Sequence, residues 1–191
     1  MEPIILEQNG GALPPLDARV RRSRTGLRQA LLELLDARPL AEITIRDIAA
    51  SAGVGYTTYF RHYPSKEALL HDLAADEIGR LSDLTIPVYD DADPRKACVA
   101  LFAYVDGRRA LWAALLAGAA GFVRAEMMRR GREASATMPK GWLPGDLALV
   151  LIVGAILELL TWWLQQPDLL PPEQMAEILE RMAIRPAKTT F

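Results

Sequence analysis

Residues 43–70, ITIRDIAASAGVGYTTYFRHYPSKEALL, gather hydroxyl, guanidinium and aromatic side chains at helical spacing. Tyr56, Thr57, Phe60 and Arg61 fall on one face of a helix, and Tyr59 and Tyr63 lie four residues apart on the other. Hydrogen-bonding and apolar groups arrayed along one outward helical face have the chemistry that reads base edges in a DNA major groove. Catalysis is poorly served. The two histidines, His62 and His71, have no Cys or acidic partner at metal-ligand spacing. No G-x-S-x-G or phosphate-binding loop occurs. Gly53-Val54-Gly55 follows a predicted helix instead of a strand, so it is no dinucleotide fingerprint. We therefore expect no enzymatic activity, no cofactor and no metal.

Two short helices crossing at a steep angle would present that face. Thr44 has the chemistry of an N-cap, with Asp47 three residues later and Ile45, Ile48 and Ala49 following. Ala49 and Ala52 supply small side chains where the second helix presses, and Gly53 tolerates the positive φ the turn needs. The second helix is predicted from Val54 or Gly55 to His62 or Tyr63, before Pro64, with Val54, Tyr59 and Tyr63 inward. A preceding helix spans about 17–36 and ends before Pro39; Val20, Leu27, Leu31, Leu34 and Leu35 form its predicted buried stripe. Arg19, Arg21, Arg22 and Arg24 at its start read either as phosphate contacts or as a solvated helix end. Ser65 can cap a fourth helix through Leu69, Leu70 and Leu73 to about residue 81. Residues 1–15, with Gly10, Gly11, Pro14 and Pro15, read as a flexible arm.

The 191 residues suffice for one compact unit or a small domain plus a larger one. Half are apolar and a quarter charged, an ordinary globular composition. The single Cys98 excludes an intrachain disulfide and fits a reducing compartment. MEPIILEQNG has no basic region ahead of an apolar run, so no secretion signal is expected and a cytoplasmic location is. The net charge of −2 conceals an asymmetry. Residues 16–66 carry nine Lys and Arg against five Asp and Glu; residues 67–191 carry thirteen against seventeen. Phosphate attraction follows the local patch, not the whole-chain value.

Thr44-Ile45-Arg46-Asp47-Ile48-Ala49, Ala52-Gly53-Val54, Thr58-Tyr59-Phe60-Arg61-His62-Tyr63 and Ser65-Lys66-Glu67-Ala68-Leu69 together resemble the tetracycline-repressor family of bacterial regulators. The likeness implies an all-α fold of about nine helices: an N-terminal three-helix helix-turn-helix domain and a C-terminal helical domain for dimerisation and effector binding. It implies a repressor that binds a palindromic site on double-stranded DNA as a homodimer and responds to a small-molecule effector. By position it also implies that Thr44 and Lys66 hold phosphates at helix N-termini. Gly55, Tyr56, Thr57, Thr58, Phe60 and His62 would then meet bases and backbone, with Arg46 and Arg61 completing the DNA-binding set. Family members usually have tyrosine where Phe60 stands, and phenylalanine cannot give a hydroxyl to a phosphate. It can still pack on a sugar or a thymine methyl. Plainer readings stand beside these: Thr44 as a cap alone, Lys66 and His62 as surface residues.

Thr85 to Asp93, with Pro87 and three aspartates, is a predicted break. It divides a DNA-binding part, 16–84, from an effector and dimerisation part, 85–191. Later helices are expected over about 94–106, 108–117, 121–136, 145–165 and 172–184. Residues 147–164, LALVLIVGAILELLTWWL, are apolar nearly all round. They meet the length of a membrane span, but Glu158 would be costly in lipid and no basic flank follows. The preferred reading has no membrane. One face meets the home domain and another, with Leu147, Leu151, Gly154, Glu158 and Trp162, meets a second copy. Met175, Ile178, Leu179 and Met182 of the last helix complete a four-helix bundle there, as the resemblance implies. Phe102, Trp112, Phe122, Met127 and Trp142 are candidates for an effector pocket or simply core; Arg108, Arg109 and Arg124 could meet an acidic effector or solvent. The alternative for the whole chain is a helical small-molecule-binding protein that does not bind DNA.

Overall fold

The computed structural model describes residues 15–89, 93–135, 142–166, 168 and 170–188. The arm expected over residues 1–15 lies outside them except for Pro15. Among the described residues every regular element is helical.

Helix α1 spans Pro15–Ala37 and is followed by a 3₁₀ turn, Leu40–Glu42. Helices α2, Ile45–Ser51, and α3, Tyr56–His62, are each seven residues long. Isolated helices this short are marginal in water, so their order comes from packing. Ile48 and Ala49 of α2 and Tyr59 of α3 are buried against Leu27, Leu31 and Ile43 in one continuous core. Val20, predicted to share that stripe, is exposed, as are Arg19, Arg21 and Arg22. The core under α1 starts only at Leu27, so the first turns stand clear of it.

Helix α4 runs Lys66–Tyr89, well past the expected end near residue 81 and through the expected break. Pro87 falls in its last turn, where the missing N–H removes one backbone bond without ending the helix. Residues 90–92, the remainder of that break, lie outside the described residues. Helix α5, Pro94–Asp106, matches the expected span of 94–106; the Asp93 side chain accepts from the Arg95 N–H, and Pro94 occupies the first turn. Helices α6, Arg109–Gly118, and α7, Ala120–Ser135, join in a sharp bend of 102°. Helix α8 covers Gly145–Gln165 and α9 covers Pro172–Leu179. A π turn over Glu180–Ile184 then leads into the short α10, Arg185–Lys188.

Helix α4 joins the two halves: it packs on α5, α6 and α7, while α5 packs on α9 and α7 on α8. By length and composition α8 is apolar enough to cross a membrane. Val153, Ile156, Leu157, Leu160 and Trp163 nevertheless bury one face of it in the core.

Candidate nucleic-acid interface

Thr44 closes a capping box: its hydroxyl oxygen accepts from the Asp47 N–H at 3.2 Å, and the Thr44 N–H donates to the Asp47 carboxylate at 2.9 Å. The Thr44 backbone and hydroxyl bonds, followed by Arg38, hold the Asp47 carboxyl below its ordinary pKa. The plain capping role is therefore in place, and the exposed residue still lies at the helix N-terminus where an anion would dock. Gly53, at φ 64°, makes the turn; among the described residues no other takes a positive φ. Close packing on α1 has a cause that the sequence reading missed. A Cβ at Gly26 would lie 3.7 Å from the Ala52 carbonyl oxygen and 4.0 Å from the Ala52 Cβ, so Ala52 faces α1.

Helix α3 separates its two faces cleanly. Tyr59 and Tyr63 are buried, and their hydroxyls donate to the Ser65 carbonyl at 3.0 Å and to Asp72 at 2.6 Å. Burial is the largest cause that pushes both phenols up to about 12. On the outer face Tyr56 is 49% and Phe60 43% exposed, with Thr57 and Arg61 exposed beside them. The Tyr56 and Phe60 rings meet edge to face at 5.1 Å. The Arg46 guanidinium sits 5.6 Å from the Tyr56 ring centre, joining α2 to this surface. Gly55 is the N-cap of α3, Thr58 is half-buried above it, and His62 is half-buried at the other end.

Three basic residues bond to groups of the fold itself. The Lys66 ammonium donates to the Leu40 carbonyl at 3.0 Å and the Ile43 carbonyl at 2.9 Å. It therefore ties the start of α4 to the turn before α2, and only its third proton is left for a phosphate. Arg24 pairs with Asp72 and donates to the Tyr63 hydroxyl at 3.2 Å, while Arg28 bridges Asp72 and Asp76. Burial would raise the Asp72 pKa, but bonds from Arg24 and Tyr63 hold it below normal. Arg24 thus clamps α1 to α4 while its side chain stays 54% exposed. Arg19, Arg21 and Arg22 stay exposed.

The five effector-pocket candidates do not converge on one space. Phe102 and Trp112 are fully buried; Phe102 meets Trp163 edge to face at 5.4 Å. Phe122 stacks on His71 of α4 at 4.5 Å, and Met127 is half-buried. Trp142 lies on the surface, its indole donating to the Pro186 carbonyl at 2.8 Å, so the pocket reading fails for it. A pocket of about 100 Å³ between α6 and α8, lined by Ala113, Leu116, Ala117, Thr161, Leu164 and Gln165, contains none of the five. It is smaller than the several hundred Å³ that drug-sized ligands need. Arg108 sits over the Tyr104 ring and 3.5 Å from the buried Glu77, and Arg109 pairs with Asp106. Neither is free to greet an acidic ligand.

The predicted pairing surface is divided. On α8, Leu147, Leu151 and Trp162 are about half exposed, Glu158 is exposed and Gly154 is half-buried. On α9, Met175 and Leu179 are buried within the chain, where α9 packs on α5, so they cannot meet a second copy. Ile178 is half-buried and Met182 is 75% exposed. The π turn explains the split: its extra residue per turn shifts the helical phase, bringing Glu180 and Ile184 inward and sending Met182 out.

With this geometry in place, the comparisons with known proteins are specific. Residues 27–73 match the family described as bacterial regulatory proteins, tetR family. Over 53 residues, 28% of this chain, it is 40% identical to the HTH-type transcriptional regulator EthR of Mycobacterium tuberculosis, strain H37Rv. The match spans 24% of the length of that relative. Across nearly the whole chain the fold is similar to that of solved regulators. A TetR transcriptional regulator from Streptococcus agalactiae 2603V aligns with a TM-score of 0.61 at 24% identity, covering 88% of this chain and 97% of that one. NalD, the secondary repressor of the MexAB-OprM multidrug efflux pump in Pseudomonas aeruginosa, aligns at 0.62 with 17% identity, covering 88% and 96%. The sequence likeness is thus confined to the helix-turn-helix, where this chain is similar to the tetR family of bacterial regulatory proteins, while the likeness over the rest of the chain is one of fold.

Proposed function

We propose that this chain is a transcription regulator, acting as a repressor, that binds a palindromic DNA site as a homodimer in the bacterial cytoplasm. The observation that carries the proposal is the outer face of α3. Tyr56, Thr57, Phe60 and Arg61 point away from a core that Tyr59 and Tyr63 anchor, and Arg46 and Thr44 of α2 flank them. A recognition helix in a major groove needs this separation of anchoring and reading faces. Residues 16–84 would form the DNA-binding part and 85–191 the remainder, with α4 crossing that boundary as a shared strut. Leu147, Leu151, Gly154, Glu158 and Trp162, with Ile178 and Met182, would supply the pairing face. Among the described residues, two buried side-chain atoms without a partner, Trp112 Nε1 and Glu180 Oε2, support control by a small polar effector that opens the 85–191 part on binding.

The proposal is tested by fluorescence anisotropy with random-sequence duplexes at several salt concentrations, followed by selection of the bound duplexes. The expected result is binding that weakens steeply with salt, together with an enriched palindrome. Replacing Tyr56 or Thr57 with alanine should change the enriched sequence. Salt-independent or absent binding to every duplex would overturn the reading.

A further inference from the structure

The outer face of α8 has an order beyond being apolar. Leu147, Leu151, Gly154, Glu158, Thr161 and Gln165 follow one another at alternating steps of four and three, the spacing of a coiled-coil seam. All six are exposed or half-exposed, with Val150 and Trp162 exposed along the flanks. A seam of this kind demands a helical partner, yet at its centre it holds a carboxylate.

Two charges of opposite sign stand unused there. Among the described residues, neither Arg124 of α7 nor Glu158 of α8 makes a hydrogen bond or ion pair, although most arginines of α7 do. The Arg124 guanidinium extends to α8: a Cβ at Gly154 would lie 3.8 Å from its Nη2. Glu158 lies one turn further along the same seam. A carboxylate buried in an apolar interface is costly unless a cation meets it. Arg124 is a cation of the same chain, placed beside the one seam position without a side chain.

We propose that each Arg124 pairs across a two-fold axis with the partner's Glu158, so that two symmetric ion pairs select a second copy of this chain. The inference rests on the homodimer reading above. Antiparallel pairing with the greatest seam overlap puts the axis between residues 154 and 158. Leu147 then lies opposite the partner's Gln165, Leu151 opposite the partner's Thr161, and Gly154 opposite the partner's Glu158. Gly154 leaves room for the longer side chain and for the guanidinium that lies over it. The same arrangement penalises any other apolar helix that lacks this pair of charges.

The test is charge reversal, read by sedimentation equilibrium and native mass spectrometry on the full chain. Arg124→Glu alone and Glu158→Arg alone each place like charges at both contacts, and their homodimers should weaken on the order of tenfold or more. Mixing the two single variants should give a heterodimer with both contacts restored, and the double variant should regain parental pairing. Both sites are at the surface, so circular dichroism should show parental helix content in each variant. Single variants that pair like the parent, or a mixture without preference for the heterodimer, would overturn the ion pair and leave the dimer standing. A parent chain that remains a monomer would instead sink the homodimer reading, and the pair with it.

Discussion

Lys66 shows how a cation expected at a phosphate can serve the fold. Its two bonds tie the start of α4 to the Leu40 and Ile43 carbonyls, the first of which also accepts the Ile43 N–H in the 3₁₀ turn. Replacing it with alanine should cost about 1–3 kcal/mol of stability, since charge-assisted bonds to buried-side carbonyls are lost, and urea denaturation would measure this. A deficit in DNA affinity should accompany it. If the third proton meets a phosphate, the salt dependence flattens by about one charge; an unchanged slope would leave Lys66 purely structural. Asp72 is the hub of the clamp between α1 and α4, receiving Tyr63, Arg24 and Arg28. Its folded-state pKa lies below the ordinary value of 3.8. Its stabilisation is therefore present above that value and is lost as pH falls through the folded-state value. Asp72→Asn should destabilise the chain by about 1–3 kcal/mol at pH 7, and the two chains should converge in acid. A deficit that is constant with pH would assign the effect to packing instead.

At the level of elements, the α2–α3 pair depends on one backbone conformation and on two tyrosines that face inward. Gly53 has open space around its missing side chain, so Gly53→Ala would meet no clash, only the cost of a positive φ. About 1–2 kcal/mol should be lost, and less with asparagine, which tolerates this region. Equal losses for the two substitutions would show that the turn resists any side chain. The helix ends carry their own instructions: the Thr44 box starts α2, and the Asp93 cap with Pro94 starts α5. The π turn after α9 does the opposite. It alters the phase of an amphipathic helix without any local glycine or proline between Glu173 and Arg185 to announce it.

At the scale of the whole molecule, α4 holds the inward tyrosine side of α3 through Asp72 and reaches the half-exposed apolar α8 through α6 and α7, which pack on both. On the homodimer reading, the exposed leucines and tryptophan of α8 form the pairing face. Leu151, 52% exposed, is a suitable probe. Leu151→Arg should sediment as a monomer and bind a selected palindrome at least about tenfold more weakly, because each half-site is then held alone. Insertion of about five base pairs between the half-sites should weaken the parent similarly, since half a turn of the duplex moves one groove to the far side. Full binding by a monomeric variant would separate pairing from DNA recognition.

The order of the helices, the capping of α2 and α5, the turn at Gly53 and the inward tyrosines of α3 were all legible in the sequence. Each is written in side chains three or four residues apart, and helix formation reads that local spacing directly. The outward face of α3 follows as the face opposite Tyr59 and Tyr63. Tertiary structure alone decided which apolar face of a helix meets its own core. Val20 and Leu27 share a periodicity, yet only Leu27 joins the core, while Val20 is exposed. Met175 and Leu179 turn inward because α5 lies there, and Met182 turns outward because the π turn adds a residue to the phase. Lys66, Arg24 and Arg28 were readable as positive charges but not as bonds, because their partners lie between 23 and 48 residues away. Spacing along a chain reports periodicity; which distant carbonyl or carboxylate arrives beside a cation depends on how all the helices pack.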